Sequence, residues 1–83
     1  MKTRIQSTLD DGDNPIFKIQ TMKRIDTGDY VWGTIKLTRD FSEELQDNKF
    51  LDGNTMQFDR LCDAVEAQEL LEEWVTLDDI EVL

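Results

Sequence analysis

The sequence predicts an α+β fold: a small antiparallel sheet of about three N-terminal strands, with a short C-terminal fourth, packed against one short and one longer helix. Three observations carry this. Hydrophobicity alternates with a period of two through the first 38 residues, turn-forming clusters interrupt it twice, and after Arg39 the period lengthens towards that of a helix. At 83 residues there is room for one domain, spanning 1–83, with a β-rich part (1–39) and a helical part (40–83). Charge changes at the same boundary. Residues 1–39 carry seven bases and five acids, residues 40–83 two bases and fourteen acids, within a net charge of −10.

From Lys2 to Leu9, Thr3, Ile5, Ser7 and Leu9 alternate with Lys2, Arg4, Gln6 and Thr8, the pattern of a half-buried strand. Asp10-Asp11-Gly12-Asp13-Asn14-Pro15 stops it, because Asp, Asn and Gly tolerate left-handed backbone and Pro15 lacks a donor. A second strand runs from Ile16 to about Arg24. Asp26-Thr27-Gly28-Asp29 is turn chemistry, and Tyr30 to Thr38, rich in β-branched and aromatic residues, completes an antiparallel hairpin. Gly33 within that strand marks a bulge or a close backbone approach.

Asp40 or Ser42 caps the short helix, which runs through Phe50 and ends at Asp52-Gly53-Asn54. The longer helix is expected from Met56 to about Trp74, on its content of Glu, Leu, Ala and Gln. On a helical wheel Phe58, Leu61, Cys62 and Val65 form one apolar stripe, which makes Cys62 a small core residue. Ala67, Leu71, Trp74 and Val75 form a second stripe. Ile80-Glu81-Val82-Leu83 alternates and returns as an edge strand.

Between the two stripes lies an acidic ridge, Asp59, Asp63, Glu66, Glu69 and Glu73, with Glu72 beside it and no lysine to relieve it. Like charges at i,i+4 and i,i+3 each cost about 0.2–0.5 kcal/mol, so a sequence selected for stability alone would scatter lysines here. The acids from Asp59 to Glu73 extend over about 21 Å, one charge per roughly 3.5–4 Å. Phosphates along one DNA strand are about 3.4 Å apart. Glu43, Glu44 and Asp47 of the short helix continue the same sign.

The sheet offers a contrasting surface. With Ile5, Leu9, Phe17, Ile19, Val31, Ile35 and Leu37 turned towards the helices, the other face carries Lys2, Arg4, Lys18, Tyr30, Trp32 and Lys36. Aromatics among bases suit stacking and phosphate neutralisation, yet the net charge opposes free nucleic acid as a ligand. Such a face is more often an ordinary solvated sheet or the place where an acidic neighbour docks, and basic sheet and acidic helix are complementary surfaces for self-association.

Several classes are excluded. The chain has no His and one Cys, so it holds no Ser-His-Asp or Cys-His relay, no zinc finger and no intrachain disulfide. The acids of Asp10–Asn14 do not follow the EF-hand register, and those of the ridge lie in polar runs instead of an apolar pocket that would raise a pKa. No catalytic residue, metal or cofactor is expected. The start Met1-Lys2-Thr3-Arg4 leads into an alternating polar segment instead of an apolar signal, and no run suits a membrane span, so a reducing cytoplasm is the expected setting.

In general character the chain is similar to phage- and plasmid-encoded inhibitors that imitate nucleic acid, and to acidic antitoxins and immunity proteins. That likeness is compositional and assigns no site. The expected function is a non-catalytic inhibitor whose acidic ridge occupies the cationic channel of a DNA- or RNA-processing protein, with Trp32 and Trp74 as aromatic contacts. The alternative is a structural or adaptor subunit that binds a protein or its own copy through Leu71 and the rest of the second stripe.

Overall fold

The computed structural model describes residues 2–38 and 55–83. Its elements are β1 (Thr3–Leu9), β2 (Pro15–Arg24), β3 (Tyr30–Leu37), β4 (Gln57–Phe58), α1 (Leu61–Trp74), a 3₁₀ turn (Leu77–Asp79) and β5 (Ile80–Val82). The fold is α+β, an antiparallel sheet covered on one face by a single helix among the described residues. The expected short helix between Asp40 and Phe50 lies outside the described residues.

β1 and β2 pair from Thr3↔Thr21 to Leu9↔Pro15, closed by the loop predicted from its Asp, Gly and Asn content. Asp10 organises that loop. Its Oδ1 accepts the backbone N–H groups of Gly12 and Asn14, both at 2.9 Å, while Asp13 takes the left-handed backbone (φ 61°) that short polar residues tolerate. The donated Asn14 N–H, supported by that of Gly12, holds the Asp10 carboxyl below its ordinary pKa. The second turn places Gly28 at φ 90°, with Ile25 N–H donating to the Asp29 carbonyl at 2.9 Å.

β2 and β3 pair only from Gln20↔Thr34 to Arg24↔Tyr30 and then splay apart. Thr55–Phe58 fills the gap. Met56 N–H donates to the Ile35 carbonyl (2.9 Å), Ile19 N–H donates to the Met56 carbonyl (3.0 Å), and Phe58 lies opposite Phe17. An isolated bridge joins Lys36 and Thr55. This corrects the expected helix start at Met56: Met56 and Phe58 are fully buried while Gln57 points to the other face, a period of two. The helix begins at Leu61.

α1 buries Ala64, Ala67 and Leu71, each with no exposure, an i, i+3, i+7 row. They join Ile19, Ile35, Leu37, Met56, Phe58 and Val75 in one core, and Gln68 ties the helix to β1 by donating to the Thr3 hydroxyl at 2.9 Å. After α1, Thr76 and Asp79 form a reciprocal capping box on the 3₁₀ turn, and β5 adds to β3 through Ile35↔Val82, Lys36↔Glu81 and Leu37↔Ile80. Gly33 is the close approach anticipated in β3. A Cβ there would collide with the Leu83 carbonyl oxygen and lie 2.6 Å from Val82 Cγ1.

The register sorts the sheet's two faces, because directly opposed residues share one. Ile5, Phe17, Ile19, Ile35 and Leu37 face α1 or its flanks, as expected. Leu9 (62% exposed) and Val31 (40%) lie beyond the edge of the helix and stay in solvent.

Candidate functional site

Two charged surfaces lie on opposite sides of the sheet. The first is the outer face of α1, where Glu66, Glu69, Glu72 and Glu73 are all exposed. No Lys or Arg occurs in the 14-residue helix, and none stands in its last turn, where a cation would complement the macrodipole. Glu72 and Glu73 are there instead. The unbroken ridge runs from Glu66 to Glu73, a rise of about 10.5 Å.

Two predicted ridge residues are placed differently. Asp59 is exposed but precedes the helix, in the connection from β4, so it is not in line with the others. Asp63 turns towards the flank of the helix and is half-buried, with one carboxylate oxygen, Oδ2, buried and lacking a hydrogen bond among the described residues. The ridge is therefore shorter than its sequence spacing suggested. Glu43, Glu44 and Asp47 lie outside the described residues, as does the Trp74 side chain.

The apolar stripes are also reassigned. Leu71 is fully buried in the chain's own core, which corrects its expected role as a partner contact. Cys62 is exposed rather than buried, and Leu61 (52%) and Val65 (41%) are exposed beside it. The physical cause is rotation of the helix: the short side chains of Ala64 and Ala67 let it lie close to the sheet, and with Leu71 they define the inner face. The first stripe then borders the acidic ridge, placing apolar contact area against carboxylates.

The second surface is the sheet face away from α1. Its centre is Gln20, only 7% exposed although no helix covers it among the described residues. Gln20 Oε1 accepts from Arg4 Nε at 3.0 Å, and its Nε2 donates to Gln6 Oε1 at 2.9 Å and Thr34 Oγ1 at 3.5 Å. Arg4 is held on a second side, its Cζ 4.3 Å from the centroid of the Trp32 ring, well within cation–π range. The Arg4 guanidinium is thus fixed in plane and position, with its terminal nitrogens unpartnered among the described residues.

Lys18 and Lys36 share this face, with Met22 and Tyr30 as exposed apolar area. One carboxylate joins them: Glu81 of β5 stands directly across from Lys36 and shares its face. Trp32 and the bases of this face were legible from alternation. The role of Gln20, Gln6 and Thr34 was not, since a polar residue in a strand reads as solvated until its neighbours across two strands are known.

No family model, curated protein or solved structure matches this chain. The functional reading therefore rests on these surfaces. No His, Cys, Asp and Glu cluster suited to a metal ion occurs among the described residues, and no helix among them is long and apolar enough to cross a membrane.

Proposed function

We propose that this chain is a non-catalytic inhibitor of the nucleic-acid-mimic type, whose acidic α1 face occupies part of a cationic channel on a DNA- or RNA-processing protein. The observation that carries the reading is the solvent face of α1, where Glu66, Glu69, Glu72 and Glu73 stand together without a base in the helix. Like-charge pairing and the C-terminal end of the macrodipole both oppose this arrangement, so local stability does not account for it. The rise of about 10.5 Å from Glu66 to Glu73 equals about three phosphate intervals of a DNA strand.

Inhibition works by occlusion. The anionic face accelerates encounter with a cationic channel, and Leu61 and Val65 beside it supply apolar contact that a phosphate backbone lacks. The chain works in the cytoplasm, where Cys62 stays reduced.

The test uses the immobilised chain and a nuclease-treated lysate of the host. Proteins retained by the native chain are eluted with duplex DNA or with salt, beside a Glu66→Gln, Glu69→Gln, Glu73→Gln variant. Release of a nucleic-acid-binding protein by DNA, and its loss from the variant, supports mimicry. Retention that is unchanged in the variant and insensitive to DNA rejects it.

A further inference from the structure

We propose that the sheet face away from α1, uncovered among the described residues, is a receptor for the acidic α1 face of a second copy of this chain, so that copies associate head to tail. The inference shares with the preceding reading only the premise that the α1 face is a binding surface. It concerns the opposite side of the molecule.

The sheet face is pre-organised for carboxylates. Arg4 is held by the Trp32 ring and Gln20, its paired terminal nitrogens have no hydrogen bond among the described residues, and that planar fork matches a carboxylate. Lys18 lies one strand across and two residues along from Arg4, about 8 Å away by strand geometry, and Lys36 is about 12 Å from Lys18, beyond the inserted Thr55–Phe58 segment. The carboxylates of Glu66, Glu69 and Glu73 are spread over a rise of about 10.5 Å. Three cations on this face, of which Lys36 also has Glu81 across from it in the β3–β5 ladder, and three anions on a single helix face are thus matched in sign and in scale.

Apolar area accompanies charge on both sides. Met22 (38% exposed) and Tyr30 (61%) flank the cations, and Leu61 and Val65 flank the glutamates. Charge sets the orientation of approach, and burial of these side chains supplies the attraction that persists at contact. Among the described residues, docking a helix on this face completes a helix–sheet–helix sandwich, in which both faces of the sheet are covered. Remote charges of the two copies, each −10 overall, are screened beyond about 8 Å at physiological salt, whereas facing charges at contact are not.

The contact is heterologous, since the surface given differs from the surface received, and such contacts continue from copy to copy unless the rotation closes a ring. A copy bound in this way has its own α1 face covered. Association therefore competes with the binding of any target at that face.

Sedimentation velocity on the full chain tests this with two variants, Lys18→Gln with Lys36→Gln on the sheet and Glu66→Gln with Glu69→Gln on the helix. The native chain is expected to form species heavier than a dimer as concentration rises, dispersing in 1 M salt. Each variant alone is expected to remain monomeric. Their equimolar mixture is expected to form a dimer and nothing larger, because each retains the surface its companion lacks, and two unfolded chains would not do so. A native chain monomeric at every concentration overturns the proposal, as does a native dimer that survives the sheet changes, which indicates pairing at the edge of β1 that is unpaired among the described residues. Binding of a single-stranded oligonucleotide that depends on Lys18 and Lys36 also overturns it. A monomeric native chain that still captures a DNA-displaceable protein defeats this inference and leaves the inhibitor reading standing.

Discussion

Neutralising the ridge should make the protein more stable, and the magnitude follows from the positions in α1. Glu69 stands three residues from Glu66 and from Glu72 and four from Glu73, and Asp63 stands three from Glu66, giving four like-charge pairs. At about 0.2–0.5 kcal/mol each, they total about 1–2 kcal/mol. Glu73 also lies against the negative end of the helix dipole, worth a further 0.3–1 kcal/mol or so. Glu66→Gln, Glu69→Gln, Glu73→Gln removes all of these terms while keeping side-chain length and helix propensity.

The expected gain is about 1–3 kcal/mol at low ionic strength, which for a chain of this size raises Tm by roughly 4–24 °C. Circular dichroism melts and urea titrations measure it, and a repeat in 1 M salt, where the Debye length is about 3 Å, should shrink most of the difference. Gain of stability together with loss of target binding is the signature of a surface kept for function. An unchanged or lowered Tm at low salt would refute the reasoning, because it would mean that the carboxylates already have cationic partners within the folded chain.

Three further changes probe the scaffold. Leu71→Ala removes a fully buried side chain from the centre of the core and should cost about 2–5 kcal/mol in urea unfolding, whereas a partner-contact residue would cost the isolated chain little. Gly33→Ala places a methyl against the Leu83 carbonyl oxygen and should cost about 1–3 kcal/mol, with the Ile80–Val82 amides exchanging faster than the rest of the sheet. Asp10 has a lowered folded-state pKa, so its contribution is present above the usual aspartate value of about 3.9 and disappears as pH falls through the lower folded value. Asp10→Ala should therefore be less stable than the native chain at neutral pH, and the two acid-unfolding curves should converge below about pH 4.

β1, β2 and β3 were legible because each announced itself twice, by alternation and by the turn that closes it. Asp10–Asn14 and Asp26–Asp29 fixed the first two hairpins, and even the three-residue β5 followed from the alternation of its tail. β4 was hidden for a physical reason. Two residues with a period of two, immediately before a run of strong helix formers, cannot be separated from the first turn of that helix until the splay between β2 and β3 is known to need filling. That misplaced start then rotated the inferred inner face. With Phe58 assigned to the helix, Leu61, Cys62 and Val65 appeared to continue its stripe, whereas the true inner face is chosen by the small residues Ala64 and Ala67, whose close approach a ranking by hydrophobic size does not anticipate.

The same geometry links the two surfaces. Seating α1 through alanines turns Leu61 and Val65 outward against the glutamates and leaves the opposite sheet face uncovered among the described residues, with Gln20 buried beneath Arg4 and Trp32. A solvated sheet face has no need to bury a glutamine or to hold an arginine on an aromatic ring, since side-chain ordering costs entropy that water contacts do not return. Such ordering is useful when it is completed before a partner arrives, because less remains to be lost on binding. Glutamates dominate the outer face of α1 and bases the opposite sheet face, where Glu81 alone stands across from Lys36 among the described residues; on the proposed reading this makes the chain a two-sided binder, in which occupation of one face controls how many acidic faces remain free.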